Sequence, residues 1–353
     1  MPTKMNKAGE QQNYVPSGNG DASGEYTNEA GANKNFKTFK KQDESSQSFN
    51  AVNKMRTGKV AMPKEQKQEA SKPLPQTVEE WDNQLREKKK DLPKYTEIKM
   101  SVKETPISKI DQETINQTLQ IPQFDGLPDL PQVVDRAAKL IQKYEPYIDG
   151  VATNLESIAS QNGGIMVGLE YRLKRLASLT RKIYAEISEK RAEGDKNFGY
   201  DDAFARMKDV GRFTMVFEEK DFVNGVNNAL NELERQGFKV TKFKNTFKDN
   251  EPYKGINTNI VDKNGVIYEV QFHIPSSIRL KEGIEVDVKN KKAIADKDIP
   301  TSHEIYETTR EIEREKNDGK VTPQRLKMKE DLENRSRSWW SKVPNINLER
   351  QLK

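Results

Sequence analysis

Between residues 253 and 273 the chain alternates. Ile256, Thr258 and Ile260 fall on one side of an extended segment. Val266, Tyr268, Val270 and Phe272 fall on one side of the next, with Ile267, Glu269, Gln271 and His273 opposite. Asn264-Gly265 between them predicts a two-residue hairpin turn, because both residues accept positive φ. The same alternation runs upstream, where Ile165, Val167, Leu169, Tyr171 and Leu173 oppose Met166, Gly168, Glu170, Arg172 and Lys174. It predicts one strand over 165–174 with Arg172 and Lys174 on its polar face. Further strands are predicted at 210–217 and over the FKVTKFK stretch that precedes the hairpin. Helical spacing joins Val134, Ala137, Leu140, Ile141 and Tyr144 behind Pro131, and Leu179, Ile183 and Ile187 behind Ser178 as N-cap. It also joins Val223, Val226, Leu230 and Leu233 before a stop at Gly237. A polar insertion follows at roughly 283–300. A last helix begins near Ser302 with Ile305, Tyr306 and Thr309 inward. The order α-β-α-β-α-β-β-β-α is that of the α+β class, a mixed β-sheet with packed helices.

Residues 1–75 show neither period and are rich in Gly, Asn, Gln, Ser and Lys, so a disordered leader is expected there. Residues 76–130 read as a charged helix, N-capped by Thr77 with Glu80 completing a capping box, and then a connector punctuated by proline. The globular domain is expected over 131–318, and residues 319–353 read as a basic tail holding Trp339-Trp340. Those indoles could reach RNA or a membrane surface, or dock on the domain's own apolar surface.

The chain has 353 residues, of which 33% are hydrophobic and 33% charged, so part of it lacks the apolar area for a core. A net charge of +5 permits a phosphate-rich ligand without demanding nucleic acid. Absence of cysteine excludes disulfides, thiolate metal sites and a cysteine nucleophile. With only two histidines, His273 and His303, a histidine metal site would need both; two structural histidines are the simpler reading. The start of the chain carries no apolar signal region, and no apolar run approaches the roughly 18 residues of a membrane span. These features predict a soluble protein without a classical secretion signal, and absence of cysteine leaves the compartment open.

Four stretches could carry chemistry. Arg172, Lys174, Ser178, Arg181 and Lys182 set cations around a predicted strand–helix junction, either a phosphate cradle or a solvated surface. Asp209 to Arg212 stand at the mouth of a strand, where an aspartate is often a cap. Tyr253 beside Gly255 could stack on a base, or pack as an ordinary loop residue. Glu269, Gln271 and His273 could be the solvated face of an edge strand or a functional row.

In this order the stretches resemble the synthetase domain of the RelA/SpoT alarmone pyrophosphokinases. The family pattern runs R-x-K-x-x-x-S-x-x-x-K, D-x-x-G-x-R, Y-x-S-x-H and E-V-Q-[IF]-R-T, with a late His and Tyr on a helix. Arg172, Lys174, Ser178 and Lys182 match at the family spacing, Asp209, Tyr253, Glu269 and Gln271 match singly, and His303 and Tyr306 stand where the closing helix would place them. Asp209 to Arg212 is shorter than the family motif. Gly255, Asn257 and His273-Ile274 replace the family's Ser, His and Arg-Thr. With the K-N-T of Lys244 upstream, the pattern is more similar to divergent members in phage and mobile-element proteins, toxins among them.

The resemblance implies a nucleotidyltransferase-like sheet and transfer of the β,γ-pyrophosphate of ATP to a ribose 3′-hydroxyl of a nucleotide or RNA. It implies Glu269, Asp209 and Gln271 as catalytic residues. Arg172, Lys174, Ser178, Lys182, Arg212, Lys244, Tyr253, Asn257 and His303 become nucleotide or phosphate contacts. Asp209 and Glu269 would share a Mg²⁺, which removes a repulsion of roughly 4 kcal/mol between carboxylates about 4 Å apart. The setting would be a host bacterial cytoplasm. The alternative is a catalytically degenerate virion protein, packaged with or built into a phage head, and a third reading is a plain RNA-binding module.

Overall fold

The computed structural model describes residues 73–317 and 319–352, which belong to one compact unit. The expected leader lies outside the described residues, except for its last few positions. A five-stranded sheet forms the centre, in the order β2-β3-β6-β5-β4. Its strands are β2 (Gly164–Val167), β3 (Gly211–Phe217), β4 (Lys239–Asn245), β5 (Ile256–Val261) and β6 (Ile267–His273). β3 runs parallel to β6 and every other neighbouring pair is antiparallel, so the sheet is mixed as expected.

Helices follow the apolar stripes. α1 (Val78–Lys89) starts at Thr77, whose Oγ1 accepts from Glu80 N at 3.2 Å. α2 (Gln112–Leu119) precedes α3 (Leu130–Gln142), which has Pro131 in its first turn, and α4 (Ile148–Gln161) follows. α5 (Leu176–Ala192) and the short α6 (Tyr200–Ala205) lead into β3. α7 (Phe222–Arg235) ends before Gly237 at φ 89°. α8 (Pro275–Glu282), α9 (Ser302–Asn317) and α10 (Pro323–Trp340) complete the set. The main core joins α3, α4, α5 and α7 to one sheet face through Phe213, Met215, Ile256, Ile260, Tyr268, Val270 and Phe272. Burying one such side chain contributes roughly 1.5–3 kcal/mol.

Five expectations change. The strand predicted over 165–174 stops at Val167, because Gly168 turns left-handed at φ 68° and a 3₁₀ turn, Leu169–Tyr171, follows. The hairpin loop is longer than two residues. Asp262 Oδ1 accepts from Asn264 N and Val266 N, and only Gly265 takes positive φ. Residues 283–300 hold a hairpin, β7 (Ile284–Asp287) and β8 (Lys292–Asp296), and β8 also pairs with β1 (Tyr95–Glu97) from the proline connector. Tyr306 points out at 53% exposure, while Ile305 and Thr309 are buried.

The tail is the fifth change. α10 packs with α1 and α9 around Trp81, Ile305, Ile312, Met328 and Leu332. Trp340 is 1% exposed, in the main core beside Val343 and Leu348. The buried Lys254 ammonium donates to Val343 O (2.6 Å) and Asn345 Oδ1 (2.7 Å), and Asn245 Nδ2 donates to Ile346 O and Leu348 O. The compact unit therefore extends past both ends of 131–318. The indoles dock inward, and the free basic tail on which RNA binding rested is not formed.

Candidate active site

The register of the sheet assembles its second face. Arg212 on β3 lies opposite Glu269 on β6, and Thr214 opposite Gln271. Across β6, Glu269 faces Asn259 and Gln271 faces Asn257 on β5. Asn259 and Asn257 face Lys242 and Lys244 on β4. Period-two alternation thus stacks two polar rows across the strands. The rows are half roofed. α8 and the β7–β8 hairpin close over Ile165, Val167 and Val216 with Ile278, Ile284, Val288 and Ala293. What remains open, the cleft, is the uncovered polar sheet face that carries the half-buried Arg212, Glu269, Gln271 and Asn257 and, at its edge, the exposed Lys242 and Lys244.

Glu269 is oriented by a hydrogen-bonded chain. Lys281 Nζ donates to Gln271 Oε1 at 2.7 Å, and Gln271 Nε2 donates to Glu269 Oε1 at 2.5 Å. Lys281 also pairs with Glu282 at 3.1 Å, and His303 Nδ1 stands 4.0 Å from the same carboxylate oxygen. His303 also lines a separate groove with Arg181 and Glu307 between α1, α5 and α9.

A second cluster stands at the entry to β3. Lys174 Nζ and Lys182 Nζ each approach Asp209 Oδ2 at 2.8 Å. Burial alone would raise the Asp209 carboxyl, but the two ammonium groups hold it well below the usual carboxylate range. Burial lowers the Lys174 ammonium; Asp209 opposes that shift, and Lys182 and Arg212 add to it. Asp209 itself stands outside β3, three residues before the register partner of Glu269. In the resting protein the two carboxylates share no partner: Asp209 is held by Lys174 and Lys182, and Glu269 by Gln271. Among the described residues no group of three His, Cys, Asp or Glu is arranged to hold a metal ion.

Three expected contacts change their meaning. Arg172 is 0% exposed, a consequence of the turn at Gly168. Its Nε donates to Asp149 Oδ1 at 2.8 Å and its Nη1 to Thr105 O and Leu169 O. It ties α4 to the chain before α2 and cannot reach a phosphate in the cleft. Ser178 is not the N-cap of α5; Arg175 is, and Ser178 lies in the first turn. Tyr253 folds back over Gly255, edge-on to His273 and Trp340, with its hydroxyl bonded within the protein. It is a wedge rather than a free stacking platform.

Residues absent from the sequence reading also belong here. Asn259 and Lys242 follow from the alternation once β5 and β4 are paired. Lys281 and Ser277 sit on α8, whose one advance signal was Pro275 at the first helical position.

No family model matches the chain, and no curated protein does. Solved structures are similar to it. One is the type VI effector Tas1 in complex with its immunity protein, at 21% identity over 63% of this chain and 97% of that one, TM-score 0.30. Another is small alarmone synthetase 1 from Bacillus subtilis bound to its product pppGpp, at 12% identity over 58% and 91%, TM-score 0.33. A GTP pyrophosphokinase family protein from Streptococcus pneumoniae follows at 14% identity over 58% and 89%, TM-score 0.31. Likeness of this order concerns the fold and says nothing about single residues.

Proposed function

We propose that the cleft binds nucleotides and that the protein is a pyrophosphokinase-like transferase. It moves the β,γ-pyrophosphate of ATP to a ribose 3′-hydroxyl of a nucleotide or RNA. The observation that carries this reading is Glu269, a carboxylate oriented by Lys281 and Gln271 in a cleft where cations predominate. A merely solvated strand face has no use for that ordering.

In the step, Glu269 takes the proton of the 3′-hydroxyl. The oxygen forms a bond to the β-phosphorus, and the bond from that phosphorus to the α,β-bridging oxygen breaks, its electron pair leaving with AMP. Lys174, Lys182 and Arg212 hold the donor phosphates. In the resting protein Asp209 pairs with both lysines and offsets only one of their charges, and a polyphosphate competes for them. Lys244 and Asn257 line the other end of the cleft, with Tyr253 behind Asn257. Ser178 stands near the lysines, and His303 stands at the rim beside Glu282.

The resting arrangement does not present a Mg²⁺ site shared by Asp209 and Glu269, since Asp209 Oδ2 is held by two ammonium groups, Glu269 Oε1 by an amide, and among the described residues no three ligating side chains are assembled. Mg²⁺ belongs to this reading as the counter-ion that ATP brings. No helix among the described residues is long and apolar enough to cross a membrane. The setting we propose is a host bacterial cytoplasm, with the protein an effector of a phage or mobile element. The virion alternative requires no oriented carboxylate.

Incubation with γ-labelled ATP, Mg²⁺ and a panel of GDP, GTP, AMP, ATP and tRNA separates these readings. The parent labels one acceptor and Glu269→Gln labels none. A folded parent that labels nothing overturns the enzyme reading.

A further inference from the structure

Behind Asn257 runs a line of hydrogen bonds whose direction can be read by counting protons. Ser277 Oγ accepts from Ile274 N at 3.1 Å and lies 2.9 Å from His273 Nδ1. It also lies 3.0 Å from Ile274 O, but that carbonyl already accepts from Ser277 N at 3.0 Å and Ile278 N at 3.1 Å. Both its lone pairs are used. Between an oxygen that two backbone N–H groups already fill and an open ring nitrogen, the Ser277 proton is assigned to His273 Nδ1.

His273 is fully buried, and burial, with Lys281 nearby, holds it well below the usual imidazole range, so the ring is neutral. A neutral ring has one N–H. With Nδ1 accepting, that proton is on Nε2 and is donated to Tyr253 Oη at 2.9 Å. Burial, then Glu269 and Glu282, push the Tyr253 phenol far up, so it keeps its own proton. That proton goes to Asn257 Oδ1 at 3.1 Å. Gly255 makes the line possible, because a Cβ there would collide with Tyr253 Oη and lie 2.9 Å from His273 Cε1.

The amide oxygen of Asn257 is thereby committed, and the residue is half-buried on the polar sheet face. Its neighbours there are Lys244 and Gln271, its register partners on β4 and β6. Gln271 Oε1 is already taken by Lys281. Among the described residues none accepts from the Asn257 NH₂.

We infer that Ser277, His273 and Tyr253 are positioning residues that fix Asn257 as a hydrogen-bond donor to the ligand. Lys244 beside it makes the matching acceptor an anionic oxygen, a phosphate of the bound nucleotide. The phosphate assignment rests on the nucleotide reading above; the direction of the line does not.

Two measurements on the full chain test this. ¹⁵N-histidine NMR of the parent should show His273 as one neutral Nε2–H tautomer through the neutral pH range. The Nδ1–H tautomer or an imidazolium overturns the relay. ATP titration by calorimetry should show Asn257→Asp, which replaces a donor by a charged acceptor, binding about ten-fold more weakly or worse. Gly255→Ala keeps every relay side chain but displaces Tyr253. It should weaken ATP several-fold and move the His273 resonances, with melts confirming the fold. Undiminished affinity in Asn257→Asp overturns the donor role. A parent that binds no ATP overturns the nucleotide reading and the phosphate assignment, while the tautomer still decides the relay.

Discussion

Asp209 and Glu269 share one polar region and are held in opposite ways. Asp209 Oδ2 receives two ammonium groups at 2.8 Å, so its charge is answered inside the resting protein. Glu269 receives a neutral amide, Gln271, which orients it and leaves its charge in place. The first arrangement stabilises a junction between the start of α5 and the mouth of β3. The second keeps a carboxylate available for a proton. Two acidic residues can thus stand near one ligand while only one is free to react with it.

Glu269→Gln should give the largest effect of any change here. Loss of a positioned base costs about 10²–10⁴-fold in rate. Because Glu269 faces the open cleft, the melting temperature should stay within a few degrees. Radiolabel turnover and a thermal melt on the same sample check both halves. A melt that falls steeply would make Glu269 a structural residue like Asp209, and the contrast would collapse.

Asp209→Asn should do the reverse on stability, leaving Lys174 and Lys182 with half-buried charge and no partner, at a cost of about 3 kcal/mol. The pH dependence has a definite sign. The unfolded Asp209 takes up a proton near its ordinary value of 3.8, while the folded carboxyl stays ionised to lower pH. Between the two the unfolded state binds more protons, so this contribution is present above the unfolded pKa and is lost as pH falls through the folded one. Denaturant melts along an acid series should show the slope in the parent and a shallower one in Asp209→Asn. Equal slopes would remove the ion triad from the account.

Arg172→Leu should come next, at about 2–3 kcal/mol, since it leaves the carbonyls of Thr105 and Leu169 short of a donor in a buried place. ATP affinity of the folded fraction should not change. Weakened binding without lost stability would restore Arg172 to the phosphate contacts.

These contrasts were unequally legible in the chain. Alternation placed Glu269 and Gln271 on one face correctly, because β5 and β6 pair along their whole length and register follows the apolar set. The same alternation misled at Arg172. The apolar positions from Ile165 to Leu173 are largely buried, but one left-handed glycine turns the backbone, and burial there no longer means a strand. Lys281, Ser277 and the line behind Asn257 were out of reach, since they depend on α8 folding over the sheet. The C-terminal strap was hidden for another reason: its anchors are hydrogen bonds from Lys254 and Asn245 to backbone, which no hydrophobic pattern records. The expected disordered leader falls on residues outside those described, apart from Pro73 to Pro75.

The smallest expected effect is at Ser178, and it bears on the lysine side of the comparison. As an N-cap, Ser178 would accept from the helix start, and Ser178→Ala would cost about 1 kcal/mol. Arg175 holds that position instead, with extended backbone and no side-chain cap bond, and α5 starts at Leu176. Ser178 is then a first-turn residue whose hydroxyl makes no capping bond, and Ser178→Ala should change stability by no more than about 0.5 kcal/mol. Asp209→Asn and Ser178→Ala, melted side by side, therefore weigh the two supports of this junction. If the serine costs as much as a cap, the helix begins later than Leu176 and Lys182 no longer reaches Asp209 as described. If it costs nothing, the junction is held by charge, and the phosphate contact proposed for the hydroxyl is checked separately, as a rise in KM for ATP without a change in the melt.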